Sequence, residues 1–248
     1  MKNKNILLNI FIISTFFTLT IEIDKEAIEA YFRSFLQKKV PNRVLLAAIT
    51  AIRDLTPANY TGNLEHNIEH FPRHLANIQR YKGFIEDQHN YYDLKYGHKT
   101  IESSGCEVIA AYNALYDLTG DENIDFPEMI DYFEKNGILF YGHIGTAPQS
   151  VEEYFNSLGF KTLSSFRRQE YATVEKNYDV FILTKYNDIE DIYNCIHTVC
   201  ITKKDGKFYV HNNGYYEHNF EYDSIDDILD NIDGGLAKDI VLLGIKKK

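Results

Sequence analysis

The segment IHTVCITKKDGKFYVHN, residues 196–212, decides the fold class because it contains two strand-like runs joined by a tight turn. β-Branched and aromatic residues fill both runs, and Asp205-Gly206 between them is a dipeptide that favours two-residue hairpin turns. We therefore predict two neighbouring antiparallel strands. Strand alternation predicts two faces, Cys195, His197 and Val199 on one and Ile196, Thr198 and Cys200 on the other.

The remainder of this half of the chain supplies two more strands and three helices. DVFILTKY (179–186) and DIVLLGIK (239–246) are apolar runs of strand length. The helices are predicted at GCEVIAAYNALYDLTG (105–120), FPEMIDYFEKNG (126–137) and APQSVEEYFNSLGF (147–160). Helices followed by a run of antiparallel strands indicate an α+β fold.

The chain divides into three parts by pattern. Residues 1–23 are hydrophobic, residues 24–80 have helical periodicity, and residues 84–248 form the mixed domain. We expect the helical part to pack on the antiparallel sheet, either as an integral cap or as a pro-segment that covers a cleft.

The N-terminal segment has the features of an export signal or a membrane anchor. Lys2 and Lys4 precede ILLNIFIISTFFTLTI, which is as long as a signal-peptide core and slightly short for a membrane-spanning helix. No small-x-small cleavage site follows. We expect an exported or membrane-anchored bacterial protein, and the alternative is a cytoplasmic protein with a buried N-terminal element.

Charge and cysteine content exclude some classes. The 248 residues carry a net charge of −10, and the basic residues are scattered apart from the C-terminal KKK. This distribution argues against nucleic acid as a partner. Three cysteines cannot all pair with one another, so at least one thiol is free.

Cys106 is a candidate nucleophile because it follows Ser103-Ser104-Gly105 and begins a predicted helix. Backbone N–H groups and the dipole at a helix N-terminus stabilise a thiolate, which is the reactive form of cysteine. The N–H of Cys106 could also bind an oxyanion beside the sulfur. The alternative is a small buried residue, which is common for free cysteine.

His197 is the candidate base for such a nucleophile. The hairpin turn returns the chain so that Asn212 lies near His197, where it can accept a hydrogen bond from the imidazole and orient the ring. Because a one-residue slip reverses every face, Asn213 is the alternative orienting residue. A core histidine with a satisfied hydrogen bond is the alternative for His197.

Three motifs resemble one family. YGHKTIESSGCEVIA (96–110) is similar to the YG–TI–SSGCGPT segment of papain-like bacterial peptidases related to the double-glycine leader peptidases of bacteriocin exporters. GTAPQSVEEYFNSLGF (145–160) resembles the family segment in which GT-P starts a helix that ends in LG. HTVCITKKDGKFYVHNN (197–213) resembles its histidine strand and hairpin. These motifs occur in family order within residues 84–248.

The resemblance implies a papain-like fold and a thiol hydrolase that cleaves peptide or protein substrates without a cofactor or metal. It implies Cys106 as the nucleophile, His197 as the base, Asn212 as the orienting residue and Gln88 as a donor in the oxyanion hole. An ordinary loop glutamine is the alternative for Gln88. The alternative functions are an acyltransferase on the same fold and a peptide-binding protein without activity.

Several residues depart from the family pattern, among them Asn212, where the family more often has Asp. Glu107-Val108 replaces the Gly-Pro that follows the nucleophile, and Ile196 replaces the glycine before the histidine. A carboxylate at Glu107 that points inward is expected to raise the pKa of the Cys106 thiol.

Outside these motifs, the spacing of His66, His70 and His74 allows a zinc site on one helix face. An amphipathic solvated helix is the favoured interpretation, because Pro72 interrupts the pattern and no third-ligand motif lies nearby.

Overall fold

The structure is a computed structural model that describes residues 47, 50, 53, 60–186, 196–213, 221–231 and 239–247. The hydrophobic segment 1–23, almost all of 24–59 and Cys195 lie outside the described residues. No helix in the described part of the chain is long and apolar enough to cross a membrane.

A five-stranded antiparallel sheet lies at the centre of the molecule. The described residues form seven strands, five of which belong to this sheet. They are β1 (Lys95–Tyr96), β2 (Lys99–Thr100), β3 (Lys161–Ser165), β4 (Val180–Tyr186), β5 (Ile196–Lys204), β6 (Lys207–His211) and β7 (Asp239–Lys246). The sheet order is β3-β7-β4-β5-β6, and β1 and β2 form a separate small hairpin. Every described pairing is antiparallel, so the fold is α+β as predicted.

Eight helices in the described residues pack around the sheet. They are α1 (Asn63–His70), α2 (Leu75–Arg80), α3 (Ile101–Ser104), α4 (Cys106–Thr119), α5 (Phe126–Asn136), α6 (Pro148–Ser157), α7 (Arg168–Asn177) and α8 (Ile225–Asn231). Short 3-10 turns occupy Phe71–His74, Gln88–Tyr91 and Phe140–Gly142. The three predicted helices of the mixed domain are confirmed.

The predicted hairpin is also confirmed. Asp205 and Gly206 have φ angles of 52° and 80°, and two positive φ angles define the turn that suits the twist of paired strands. Pairing of Cys200 with His211 and of Lys204 with Lys207 fixes the register of β5 and β6.

The two faces of the sheet bury different cores. Cys200 of β5 joins the larger core with α4, α5 and α6, whereas Val199 and Ile201 join a smaller core with α7 and α8. The predicted alternation along β5 is therefore confirmed for these residues. Thr198 also lies on the α4 face, because its hydroxyl contacts a side chain of α4.

Residues 60–80 pack against the mixed domain through buried polar side chains. Asn67 bonds both backbone groups of Lys95, at 2.7 Å from the N–H and 2.9 Å from the carbonyl. Asn63 donates to the Gly97 carbonyl at 2.9 Å. Such buried side-chain bonds to the backbone fix α1 on the β1–β2 hairpin.

The histidines of this region bond to protein groups. His66 and His74 contact the Asp93 carbonyl and carboxylate at 2.8 Å and 2.7 Å, and His70 bonds the His66 carbonyl at 2.8 Å. No cluster of three metal-ligating side chains occurs among the described residues.

Candidate active site

Cys106 is the first residue of α4, directly after a glycine that its neighbours require. A Cβ atom at Gly105 would lie 2.8 Å from the carbonyl oxygen of Ile101, so only glycine allows α3 to end and α4 to begin within one residue. Thr100 and Ser103 stabilise the start of α3, where the Ser103 hydroxyl accepts from the Thr100 N–H at 3.3 Å.

The Cys106 sulfur lies in a buried polar environment. The side chain is only 7% exposed, and Sγ donates to Oε2 of Glu107 at 3.1 Å. The backbone N–H groups of Thr198 and Glu107 also donate to the sulfur. Sγ is therefore in contact with both α4 and β5.

Glu107 points inward and, together with burial, favours the protonated form of the Cys106 thiol. Burial and then the negative charge of Glu107 raise the pKa of Cys106 well above its ordinary value. Burial also raises the pKa of Glu107 to about 7. The expectation that an inward carboxylate disfavours the thiolate is confirmed.

Neutral donors hold the Glu107 carboxyl in place. Its Oε1 lies 3.2 Å from the Thr198 hydroxyl, and the backbone N–H of Thr146 also donates to the carboxyl. Gly145 has a φ of 85°, and a Cβ atom there would lie 3.3 Å from Oε2. The loop that contains Gly145 and Thr146 thus packs closely against Glu107, and a side chain at Gly145 would need both a strained φ angle and a shift of its neighbours.

The His197 ring is oriented by a backbone carbonyl. Its Nε2 lies 2.8 Å from the carbonyl oxygen of Asn212. A carbonyl oxygen only accepts, so Nε2 carries the proton in this contact. In the neutral ring Nδ1 then has the lone pair, which makes Nδ1 the basic nitrogen.

One peptide unit of β5 links Cys106 with His197. The N–H of Thr198 that donates to Sγ belongs to the peptide group that begins at the Cα atom of His197. Among the described residues, no hydrogen bond connects Sγ with the imidazole. The backbone of β5 therefore links Sγ to the peptide group after His197, while the thiol itself donates to Glu107.

Asn212 and Gln88 form a direct pair of hydrogen bonds. The Asn212 side chain accepts from the Gln88 N–H and donates to Gln88 Oε1, both at 3.1 Å. Gln88 Nε2 donates to the carbonyl of Glu102 at 2.6 Å, one helical turn before Cys106. Gln88 thus connects Asn212 with the segment that leads to Cys106.

These contacts correct one part of the expected geometry. The Asn212 side chain was expected to orient the imidazole, but the backbone carbonyl does so while the side chain binds Gln88. The reason is the backbone of Asn212, whose φ of 61° turns the chain out of the strand after His211. Asn213, the alternative orienting residue, has no described contact with the ring.

Sequence reasoning missed Glu86 and His211. Glu86 Oε1 lies 2.6 Å from His211 Nδ1, and its Oε2 accepts from the Asn212 N–H at 3.1 Å. The His211 Nε2 contacts the Thr202 hydroxyl at 2.9 Å. Glu86 therefore holds the His211 ring and the N–H of Asn212, at the point where the strand leads into the Asn212 turn. No local pattern in the sequence indicates the Glu86–His211 pair, because the two residues lie 125 positions apart.

Comparison with known proteins found no family model, no curated protein and no solved structure that matches the chain. The resemblance to papain-like peptidases consequently stays a prediction, and the case for a function depends on the contacts described above.

Proposed function

We propose that this protein is a thiol hydrolase with a papain-like fold that cleaves amide or peptide bonds through a thioester at Cys106. One observation carries the proposal. The sulfur at the N-terminus of α4 bonds the peptide unit that begins at His197, while a carbonyl holds Nε2 of that histidine. A nucleophile, an adjacent base and a group that orients the base are the three parts of such a site.

In the proposed reaction the imidazole Nδ1 takes the thiol proton and Sγ attacks the substrate carbonyl. His197 then returns the proton to the leaving amine, and the thioester forms at Cys106. Water, activated by the same nitrogen, hydrolyses the thioester and regenerates the thiol. The N–H of Cys106 and the Gln88 carboxamide are the proposed donors to the tetrahedral oxyanion. Because Sγ bonds Glu107 in the structure, the thiol has to exchange this partner for the ring before attack.

An acyl-trapping experiment tests the proposal. The protein is mixed with an activated ester or a peptide thioester, quenched in acid and analysed by intact mass and peptide mapping. We expect one acyl group on Cys106, lost in Cys106→Ala and strongly reduced in His197→Ala. Cys200→Ala is the matched control, since Cys200 is the other described free thiol and is also buried. No acylation of Cys106 under any condition would overturn the proposal.

A second candidate, a peptide-binding protein without activity, is favoured by the contact between Sγ and Glu107. A thiol that donates to a carboxylate and is buried is protonated at neutral pH and therefore a poor nucleophile. Binding of peptides with equal affinity by the wild type and Cys106→Ala, without acylation, would favour this function.

The trapping experiment also distinguishes hydrolysis from acyl transfer. If an amine added to the reaction accepts the acyl group, an amide product appears.

A further inference from the structure

Glu107 is the side chain that hydrogen-bonds the thiol of the proposed nucleophile. Its Oε2 accepts from Sγ at 3.1 Å, and its Oε1 is held by the Thr198 hydroxyl at 3.2 Å. The carboxyl is 2% exposed, so water does not screen it. We propose that Glu107 is a built-in restraint on the nucleophile, which keeps Cys106 in the thiol form until another group takes the proton. This inference rests on the proposed function.

The sign of the effect follows from hydrogen bonding and charge. A carboxylate accepts from the S–H group, which stabilises the protonated sulfur. The same negative charge opposes a thiolate at a distance where few solvent molecules intervene. In the state with one proton, the thiol and the carboxylate share that proton across a single hydrogen bond. The two groups therefore titrate as a pair.

The surrounding titratable groups do not neutralise Glu107. Tyr96 from the β1 strand lies nearby, and burial raises its pKa well above the ordinary value, so this phenol is neutral. From α5, Glu134 adds a second carboxyl near Tyr96. From β5, the contact with Glu107 is the neutral hydroxyl of Thr198, the residue after His197. No lysine or arginine among the described residues forms an ion pair with Glu107, so no fixed positive charge offsets its effect on the sulfur.

The test is the pH dependence of alkylation at Cys106 in Glu107→Gln. The carboxamide has nearly the same shape, has no charge and can donate to a thiolate. We expect the apparent pKa of the thiol to fall by about one unit or more, with several-fold faster labelling by iodoacetamide at pH 7. Peptide mapping assigns the label to Cys106.

Two further variants separate this effect from a general change in the core. Glu134→Gln makes the same substitution at a second buried carboxyl, which bonds Asn63 and Gly97 and does not contact the sulfur. This control should leave the labelling profile of Cys106 unchanged. Glu107→Asp retains the charge but moves it away from Sγ, and its profile should lie between those of the wild type and Glu107→Gln. If Glu107→Gln does not fold, Glu107→Asp against the wild type gives the same comparison.

Two results would overturn the restraint. A profile of Glu107→Gln that superimposes on the wild type means that the carboxylate has no influence on the thiol. Slower labelling of the variant means that Glu107 is the base that removes the thiol proton. Neither result depends on hydrolysis: failure of acyl trapping would overturn the proposed function and leave the labelling comparison intact.

Discussion

Asn212 shows how one backbone angle redirects a side chain that the sequence assigned to another role. Its φ of 61° lies in the left-handed region, which asparagine tolerates better than most residues and which glycine adopts without strain. This angle presents the carbonyl to His197 and the side chain to Gln88. The choice of asparagine is thus explained by the turn as well as by the hydrogen bonds.

Replacement of Asn212 by alanine and by glycine separates these two contributions. Both variants lose the bonds to Gln88, but alanine also has to adopt the left-handed angle, at a cost of about 1 kcal/mol. In urea unfolding we expect Asn212→Ala to be less stable than Asn212→Gly by this amount. Acyl-enzyme formation should be slower in both variants than in the wild type, and slowest in Asn212→Ala. Asn213→Ala is the control and should have a small effect. Equal stability of the alanine and glycine variants would contradict the left-handed turn.

Gln88 is the second residue whose role can be measured directly. If its carboxamide donates to the oxyanion, Gln88→Ala should slow acyl-enzyme formation by about two to three orders of magnitude. Gln88→Glu is the sharper variant, because it retains an acceptor for Asn212 Nδ2 and removes the donor to Glu102. We expect Gln88→Glu to be folded and almost as slow as Gln88→Ala. A normal rate in both variants would restrict Gln88 to fixing the Asn212 turn.

At the scale of the elements, alanine substitutions at two glycines separate two causes of lost stability. One cause is a strained backbone angle and the other is a steric clash. Gly120 ends α4 with a φ of 64°, and a Cβ atom there would contact nothing within 4 Å. Gly120→Ala should therefore cost only the left-handed angle, about 1 kcal/mol, or about 2–4 °C in melting temperature.

Gly244 of β7 is the steric counterpart. A Cβ atom there would lie 2.6 Å from Val174 Cγ1 and 2.8 Å from the Tyr178 ring, where α7 packs on the sheet. Alanine has to displace that helix, so we expect Gly244→Ala to cost clearly more than Gly120→Ala. Thermal unfolding of the two variants checks the order, and a smaller loss at Gly244 would mean that α7 packs more loosely than the structure shows.

The elements that sequence reasoning found and missed differ in how strongly they are patterned. The apolar strands β4, β5 and β7 and the helices α4, α5 and α6 are confirmed because their hydrophobic residues repeat with a clear period. β3 was missed since its sequence KTLSS is mostly polar and lies at the edge of the sheet. α7 was missed because only Tyr171 and Val174 of RQEYATVEKN are buried.

The candidate site, like the fold, could be predicted only in part from the sequence. Residue type and position selected Cys106 and His197, whereas the family resemblance selected Gln88 and chose Asn212 over Asn213. The hairpin register explains why Asn212 lies near His197. The Glu86–His211 contact was not foreseeable, because it joins residues 125 positions apart and has no local pattern. The backbone carbonyl of Asn212, and not its side chain, bonds the imidazole because of the φ angle of Asn212. Composition and periodicity do not determine this angle.

At the scale of the whole molecule, the core buries two carboxyls without a partner cation among the described residues. Glu107 bonds the sulfur and hydroxyl described above, and Glu134 accepts from Asn63 Nδ2 and from the Gly97 N–H, each at 2.6 Å. Burial is the main cause that raises the pKa of each carboxyl to about 7. Glu134 also connects α1 with the β1–β2 hairpin, so its protonation affects how residues 60–80 are attached to the domain.

These two carboxyls predict the pH dependence of stability. The unfolded chain releases each proton near pH 4.5, whereas the folded protein retains it to about pH 7. Between those values the folded state binds more protons, so the free energy of unfolding falls as the pH rises, by up to about 1.4 kcal/mol per pH unit for each carboxyl.

The decisive measurement is urea unfolding of the wild type and of the double variant Glu107→Gln/Glu134→Gln between pH 5 and pH 7. Repulsion within a chain of net charge −10 and the partly buried Asp117, whose pKa is also raised, change stability in the same direction in both proteins. The difference between the two curves therefore isolates the two carboxyls. We expect the wild type to lose stability more steeply than the double variant, with the gap between the slopes closing above pH 7. Parallel curves would show that neither carboxyl retains its proton in the folded state, and the assigned burial of Glu107 beside Cys106 would then be wrong.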